Sequence, residues 1–233
     1  MERLGAFIEV LLCSGLPTQL LVFGALTGVG LQPRTEDGVW ASSFVITMSL
    51  IDMVLVIGLV CLFLRAHRES LLEFVAGRRR ALGEALLGVA LIPAMFLLAL
   101  LVLGIILAFK PELHNVEVNP FEAMLQTPQE AAIFAFVAMF AGGVREEIQR
   151  GFIIRRFDQY LGGGMFGIVV YSAVFGLGHI DQGYAAAIAV SALGAAWGCV
   201  YWARGSVIAP IVSHAGFNLA QLLKYVTLSA VLN

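Results

Sequence analysis

Long apolar runs separated by short polar turns make up nearly the whole chain. A helix that crosses the hydrocarbon core of a bilayer needs about 20 mostly apolar residues, and most of the runs are close to that length. The runs cover residues 4–31, 41–64, 82–109, 128–156, 165–179, 184–203 and 206–228. The pattern predicts an all-α fold, a polytopic transmembrane helix bundle of about seven spans, with about six to eight as the range.

Composition agrees with this pattern. Hydrophobic residues make up 60% of the 233 residues, charged residues make up 13%, and the mean hydropathy is +0.90. A soluble domain is about half apolar and about a quarter charged, so the sequence predicts an integral membrane protein. We expect residues 1–233 to form a single integral membrane domain, and the first apolar run to be a retained span rather than a cleaved signal.

The net charge does not indicate a nucleic-acid-binding protein, and the cysteines do not indicate a disulfide or metal framework. The net charge of −2 gives no indication of nucleic-acid binding. Cys13, Cys61 and Cys199 all lie inside apolar runs and form no CxxC pair. Such cysteines are typical of packing residues rather than of a disulfide or metal framework.

The charges of two loops predict the orientation of the bundle. The segment 65–80 holds five arginines and two glutamates, whereas the segment 110–126 is acidic, with Glu112, Glu117 and Glu122. The positive-inside rule places the arginine-rich loop, and with it the N-terminus, in the cytoplasm. The LLEF sequence at the centre of that loop favours a short interfacial helix.

Three further positions carry local predictions. Thr127, followed by Pro128 and by Glu130 three residues after it, is typical of a capped helix start. Pro93 predicts a kink in the third span. Asp52 lies inside the second span, where it is either a functional residue or a structural residue that contacts a partner on another helix.

Four charged side chains within six residues close the fourth apolar run: Arg145, Glu146, Glu147 and Arg150. On a helix, Glu146 lies four residues and Glu147 three residues before Arg150, so either carboxylate can pair with the guanidinium. A span that simply ends at the headgroups would also explain these charges. At 1.5 Å per residue, however, Glu146 lies about 15 Å before the pair Arg155–Arg156 and therefore inside the bilayer. Charges at that depth usually face a cavity or a partner.

Two histidines and an asparagine follow on later spans. His179 ends the sequence FGLGH, and His214 lies four residues before Asn218, on the same helix face. A lone intramembrane histidine is most often a packing residue, but a glutamate and a histidine that share one water can remove its proton. A second histidine and an asparagine can donate hydrogen bonds to the oxyanion that forms when water attacks a carbonyl. The set predicts amide hydrolysis inside a membrane cavity.

These motifs, in this order on successive spans, resemble the CAAX protease and bacteriocin-processing (CPBP, or Abi) family of intramembrane proteases, over residues 129–225. The family includes the type II CAAX prenyl endopeptidases. The resemblance implies that a glutamate of the first motif and His179 activate water, that His214 and Asn218 form the oxyanion site, and that Phe175 is the aromatic residue of the second motif. It implies a catalytic helix core at 128–228 that follows N-terminal spans at 1–127.

The first motif departs from the family pattern, which has two glutamates, three residues, then arginine and glycine. Here two residues separate the glutamates from Arg150 and Gly151. Aligned without a gap on Arg150, Glu146 takes the place of the second glutamate and Arg145 that of the first. Aligned on the glutamates, Arg150 arrives one residue early, and a one-residue slip rotates a side chain by about 100°. We name Glu146 as the better candidate for the base, with Glu147 as the other and Arg150 in support.

The resemblance also implies a metal-independent mechanism without a cofactor, and a peptide or protein substrate that is lipid-modified or membrane-anchored. The compact chain is typical of bacterial members, which predicts the bacterial inner membrane. Two other readings stay open: a non-catalytic scaffold that binds a peptide, which the shifted glutamates favour, and a metalloprotease with His179, His214 and a glutamate on zinc. A transporter is disfavoured because the chain shows no paired halves.

Overall fold

A computed structural model describes the backbone of residues 2–125 and 127–232 and the side chains of residues 2–125, 127 and 129–223. These residues form helices joined by short connections, with an isolated β-bridge between Arg34 and Trp40. The α-helices are α1 (Arg3–Leu12), α2 (Leu16–Gly28), α3 (Ser42–Ala66), α4 (Leu71–Ala76), α5 (Ala81–Phe109), α6 (Pro120–Ala123), α7 (Pro128–Val137), α8 (Glu146–Tyr160), α9 (Gly164–Leu177), α10 (Tyr184–Arg204) and α11 (Ile208–Leu232). The all-α class predicted from the sequence is confirmed.

Within the described part of the chain, four helical segments are long and apolar enough to cross a membrane: Arg3–Gly28, Ser42–Ala66, Leu71–Phe109 and Tyr184–Arg204. Two shorter apolar helices, Gly164–Leu177 and Ile208–Leu223, accompany them. Large apolar side chains such as Leu97 and Leu100 of α5 are exposed on the outside of the bundle, where lipid can cover them. The protein is therefore an integral membrane protein, and the count of seven spans stays a prediction.

The capped helix start and the short helix at the LLEF sequence agree with the structure, and the kink at Pro93 stays a prediction. Thr127 and Glu130 form the expected capping box, in which the Glu130 backbone N–H donates to Thr127 Oγ1 and the Thr127 backbone N–H donates to the Glu130 carboxylate. The LLEF sequence lies in α4, where Ser70 caps the helix and Phe74 is buried. Pro93 lies inside α5, which continues through it to Phe109.

The fourth helix contains a feature that the sequence analysis did not predict. Between α7 and α8 the chain forms a π-helix, Ala138–Arg145, which we call the π segment. Its two glycines allow close contact with α11: a Cβ atom on Gly143 would lie 2.6 Å from the Cβ atom of Ala215, and one on Gly142 would lie 2.7 Å from Nδ2 of Asn218. A π turn contains more residues than an α turn, so it rotates the side chains of α7 relative to those of α8.

Helix α8 lies in the middle of the bundle. Its apolar residues Phe152, Ile153 and Ile154 are fully buried, and the helix contacts α1, α3, α9, α10 and α11. Polar side chains on α8 and at the end of the π segment are therefore enclosed by protein rather than by lipid. Charged residues inside a membrane protein require such enclosure.

Two groups of polar contacts mark the two ends of the bundle. At one end, Arg156 pairs with Glu9 at 2.7 Å and with Glu69 at 2.5 Å, and Arg155 also pairs with Glu69. At the other end, the Tyr184 backbone N–H donates to Asn115 Oδ1 at 2.9 Å. The 29-residue helix α5 joins the arginine-rich loop to the acidic loop, so the two loops lie at its opposite ends. That the arginine-rich end is cytoplasmic stays a prediction.

Candidate active site

Glu147 is the buried carboxylate of the charged cluster. Its Oε1 atom is ion-paired with Nη1 of Arg150, three residues later on α8, and lies 2.7 Å from Nδ1 of His214 on α11. Only 1% of its side chain is exposed. Of the two pairings that the sequence allowed for Arg150, the structure contains the one with Glu147.

Aromatic rings surround the Arg150 guanidinium. Its central carbon lies 4.5 Å from the ring centroid of Phe175, 5.7 Å from that of Trp197 and 5.9 Å from that of Tyr171. A cation over aromatic faces is stabilised electrostatically even when it is removed from water. These rings and Glu147 together make a fully buried arginine tolerable.

Glu146 has a different environment from its neighbour. About 16% of its side chain is exposed, and no hydrogen bond joins its carboxylate to another described side chain. Its Oε2 atom lies 3.9 Å from Nε2 of His214, and its Oε1 atom lies 3.8 Å from Nη1 of Arg145. Both separations exceed a direct hydrogen bond. Glu146 is thus the accessible and less committed carboxylate of the two.

Two contacts fix the ring of His214, one with Trp197 and one with Glu147. The ring stacks on the indole of Trp197, with centroids 3.9 Å apart and planes inclined by 15°, and Trp197 Nε1 donates to Ser213 Oγ at 3.1 Å. Because an ionised carboxylate only accepts hydrogen bonds, Nδ1 of His214 carries the hydrogen that Glu147 receives. Nε2 of the same ring is therefore the atom presented to Glu146.

Asn218 lies one turn after His214 on α11. Its Nδ2 atom donates to the backbone carbonyl of Ala138 in the π segment at 2.9 Å, and the amide has a second N–H. The close approach at Gly142 and Gly143 brings this turn of α11 against the π segment. The π segment and the HxxxN motif therefore position each other.

His179 lies outside its predicted helix. Helix α9 ends at Leu177, and His179 occupies the connection to the short 3₁₀ turn Ile180–Gln182. Its Nδ1 atom lies 2.8 Å from the carbonyl oxygen of Phe175, and the two rings are 4.7 Å apart. With Nδ1–H bound to that carbonyl, Nε2 is free to accept. His179 is close enough to Glu146 for a through-space electrostatic interaction.

The structure thus brings Glu146, Glu147, Arg150 and His214 into direct proximity. Asn218 and Phe175 border this group, and His179 lies at its edge. Among the described residues, no three His, Cys, Asp or Glu side chains are grouped as a metal site.

Sequence reasoning missed two contributors to the site. Trp197, which stacks on His214, stands alone as a large aromatic residue in the small-residue stretch of α10. That isolation was the only available signal. The π segment was missed because two adjacent glycines inside an apolar run fit an ordinary packed helix equally well.

Comparison with known proteins identifies part of the chain. Residues 128–220, which contain every predicted site residue, match the family model described as type II CAAX prenyl endopeptidase Rce1-like. A search of curated proteins found no match, and a search of solved structures found none either. The segment 128–220 is therefore similar to the Rce1-like family of type II CAAX prenyl endopeptidases, in agreement with the resemblance that the three motifs carry.

Proposed function

We propose that this protein is an intramembrane endopeptidase that hydrolyses a peptide bond near the end of a membrane-associated protein or peptide. The observation that carries this proposal is that His214 lies between two glutamates. Its Nδ1 atom is 2.7 Å from the Glu147 carboxylate, and its Nε2 atom is 3.9 Å from the Glu146 carboxylate. The match to a family of CAAX endopeptidases supports a protease in general.

Glu146 is the proposed general base. It is more accessible than Glu147, and its carboxylate is not held by a hydrogen bond within the described site. A base must be free to accept a proton from water, whereas a carboxylate paired with a buried guanidinium is a poor acceptor. Glu147 instead orients His214 and neutralises Arg150.

The contacts of Arg150 and Gly151 support the alignment without a gap. A Cβ atom on Gly151 would lie 2.7 Å from Val207, so this glycine is confined at its position. Glu146 then takes the place of the second family glutamate. In that alignment Arg145 replaces the first glutamate, and its side chain is directed to Asp52 on α3.

The proposed reaction begins with water held between Glu146 and His179. Glu146 takes a proton from the water, and the oxygen attacks the peptide carbonyl carbon. The oxyanion that forms accepts hydrogen bonds from the second N–H of Asn218 and from Nε2–H of His214, whose ring takes up a proton from solvent before the substrate binds. Glu147 on Nδ1 stabilises this imidazolium, which keeps its proton throughout the reaction. Glu146 then delivers its proton to the leaving amine, so that water is consumed and a carboxylate and an amine are released.

The substrate is proposed from the family alone: a peptide tail held at the membrane, with or without a lipid. We also propose the bacterial inner membrane as its location, with the N-terminus in the cytoplasm. The charges of segments 65–80 and 110–126 support this orientation.

A non-catalytic scaffold that binds a peptide is the second candidate. The observation that favours it is Arg145, a cation at the place of the first family glutamate in the alignment without a gap. In this reading the same residues contribute to binding a peptide, but no base activates water.

The test uses purified protein in liposomes with a tail-peptide substrate in water enriched in ¹⁸O. The parent protein is expected to release a fragment that carries ¹⁸O at its new carboxylate, with or without a chelator. His179→Ala is expected to abolish release. The control is His67→Ala at the arginine-rich end of the bundle, where the ring contacts Glu9 rather than a site residue; it should cleave like the parent per folded molecule. A parent that captures the peptide but cleaves nothing would support the scaffold instead, and activity lost to a chelator and restored by zinc would support the metalloprotease.

A further inference from the structure

A buried polar cluster joins the N-terminal helices to the candidate site. Asp52, in the middle of α3, is ion-paired with Nη2 of Arg145 and accepts a hydrogen bond from Oγ1 of Thr18 on α2. All three side chains are buried. Thr18 and Asp52 lie outside residues 128–220, so the family segment does not include them.

Arg145 connects this cluster to Glu146. One terminal nitrogen of its guanidinium, Nη2, is bound to Asp52, and the other, Nη1, lies 3.8 Å from Oε1 of Glu146. Its Nε atom is buried without a hydrogen-bond partner among the described residues. The Arg145 guanidinium therefore lies between two carboxylates: it is bound to Asp52, and it is too far from Glu146 for a hydrogen bond.

The chain also makes room for this arrangement. Helices α1 and α2 are separated at Gly15, which has a left-handed φ of +86°, and a Cβ atom there would lie 2.9 Å from Nη2 of Arg145. Both the backbone conformation and the contact disfavour other residues at this position. The break in the first membrane segment thus accommodates the Arg145 side chain.

We propose that Asp52 is a positioning residue for the general base: it holds Arg145 away from Glu146 and so keeps the Glu146 carboxylate able to accept a proton. The inference rests on the proposed function, because it assigns Asp52 a purpose only if Glu146 acts as a base. A guanidinium released next to Glu146 would form a charge-assisted pair with it and weaken it as a proton acceptor. Asp52 prevents that pair by binding the guanidinium first.

Several charged or titratable groups surround Glu146 and contribute to its proton affinity. They are Arg145 from the π segment, Glu147 and Arg150 from α8, His214 from α11, His179 after α9 and Asp52 from α3. Arg145 and Asp52 are ion-paired and opposite in charge, so their removals should act on Glu146 in opposite directions. Loss of Asp52 frees a cation, whereas loss of Arg145 leaves an anion.

The experiment measures the protonation of Glu146 directly. A hydrophobic carbodiimide reacts with protonated carboxyl groups, and mass spectrometry reports its adduct on Glu146 as a function of pH. In Asp52→Asn the labelling midpoint is expected to move to lower pH by about one unit, and in Arg145→Gln to higher pH by about one unit. The double variant Asp52→Asn/Arg145→Gln, which leaves no unpaired charge, is expected to label near the parent midpoint.

Activity and a matched control complete the test. Asp52→Asn is expected to lower kcat about tenfold with little change in KM, because a weakened base slows the chemical step, and Asp52→Glu is expected to recover part of the loss. The control is Glu84→Gln, which breaks a buried carboxylate–arginine pair with Arg204 remote from Glu146, and should leave the midpoint unchanged.

Two results distinguish a failure of the positioning role of Asp52 from a failure of the proposed protease function. If the single variants label at the parent midpoint, or if Glu84→Gln shifts the midpoint as much as Asp52→Asn, the positioning role of Asp52 is wrong. If the midpoints move in opposite directions while the parent cleaves no peptide, the control of Glu146 by Asp52 and Arg145 stands and the proposed protease function fails.

Discussion

Polar and charged side chains lie on two faces of the segment 145–156, which is the last residue of the π segment followed by helix α8, and the two faces find their partners in different ways. On the face toward α11, Glu147 pairs with Arg150 three residues away on the same helix. On the face toward α1–α3, Arg145, Gln149 and Arg156 contact Asp52, the Cys13 carbonyl and Glu9, all 90 or more residues away in sequence. The comparison shows that the spacing of the motif suffices for the first face, whereas the second depends on how distant helices pack.

The comparison also isolates Glu146. It follows Arg145 and precedes Glu147, so it projects between the two faces. Its neighbours are committed on either side, and its own carboxylate is not hydrogen-bonded to a described side chain. The arrangement leaves the Glu146 carboxylate available for chemistry between two charged neighbours, Arg145 and Glu147, whose side chains make structural ion pairs.

The largest expected effect comes from breaking the pair on the α11 face. Arg150→Ala leaves the Glu147 carboxylate buried beside His214 without its cation, which should cost about 3–5 kcal/mol of unfolding free energy. Thermal unfolding in detergent measures this loss. The control is Arg34→Ala, which removes an exposed arginine in the connection between α2 and α3. A fully stable Arg150→Ala protein would contradict the buried pair.

The next effect concerns the turn of α11 that faces the π segment. Asn218→Ala removes one proposed oxyanion donor and should lower kcat by about 10²–10³. Steady-state kinetics with the tail peptide measures it. Because Asn218 also donates to the Ala138 carbonyl, circular dichroism must show an intact fold, and an unchanged kcat would remove Asn218 from the mechanism.

A smaller effect tests the contact that the π segment makes possible. Gly143→Ala places a Cβ atom 2.6 Å from that of Ala215, and overpacking of this kind costs about 1–3 kcal/mol. Gly104→Ala is the matched control, because a Cβ atom on Gly104 in α5 meets no atom within 4 Å. Equal unfolding temperatures for the two variants would show that the close contact is absent.

The smallest effect lies at the arginine-rich end. Burial alone would raise the pKa of the Glu69 carboxyl group. The hydrogen bonds and positive charges of Arg156 and Arg155 lower it by more, so the pKa lies below its usual value. A lowered carboxyl pKa contributes stability that is present above the unfolded pKa and is lost as the pH falls through the folded pKa. Unfolding measured from about pH 5 downward should therefore show a weaker acid dependence in Glu69→Gln. An identical dependence in the two proteins would contradict the pair.

The sequence predicted most of the fold because the signals were local. Lengths of apolar runs gave the helices, and the Thr127–Glu130 box gave the start of α7. The site residues were predicted from motif spacing, and the structure brings Glu147, Arg150 and His214 together. Their roles stay predictions.

What escaped prediction depends on contacts between distant segments. The partner of Asp52 is Arg145, 93 residues later, and no periodicity connects them. The π segment arises because Gly142 and Gly143 meet α11, which only packing decides. His179 lies beyond α9 because the helix ends at Leu177, two residues earlier than the apolar run suggests.

The most direct test compares the two adjacent glutamates. Glu146→Gln and Glu147→Gln are assayed for peptide cleavage per folded molecule and for thermal unfolding in the same liposomes. The expected result is that Glu146→Gln keeps the parent unfolding temperature and loses cleavage, since glutamine cannot take the proton, whereas Glu147→Gln unfolds earlier and retains measurable cleavage. Parent-like cleavage by Glu146→Gln would contradict its role as the base.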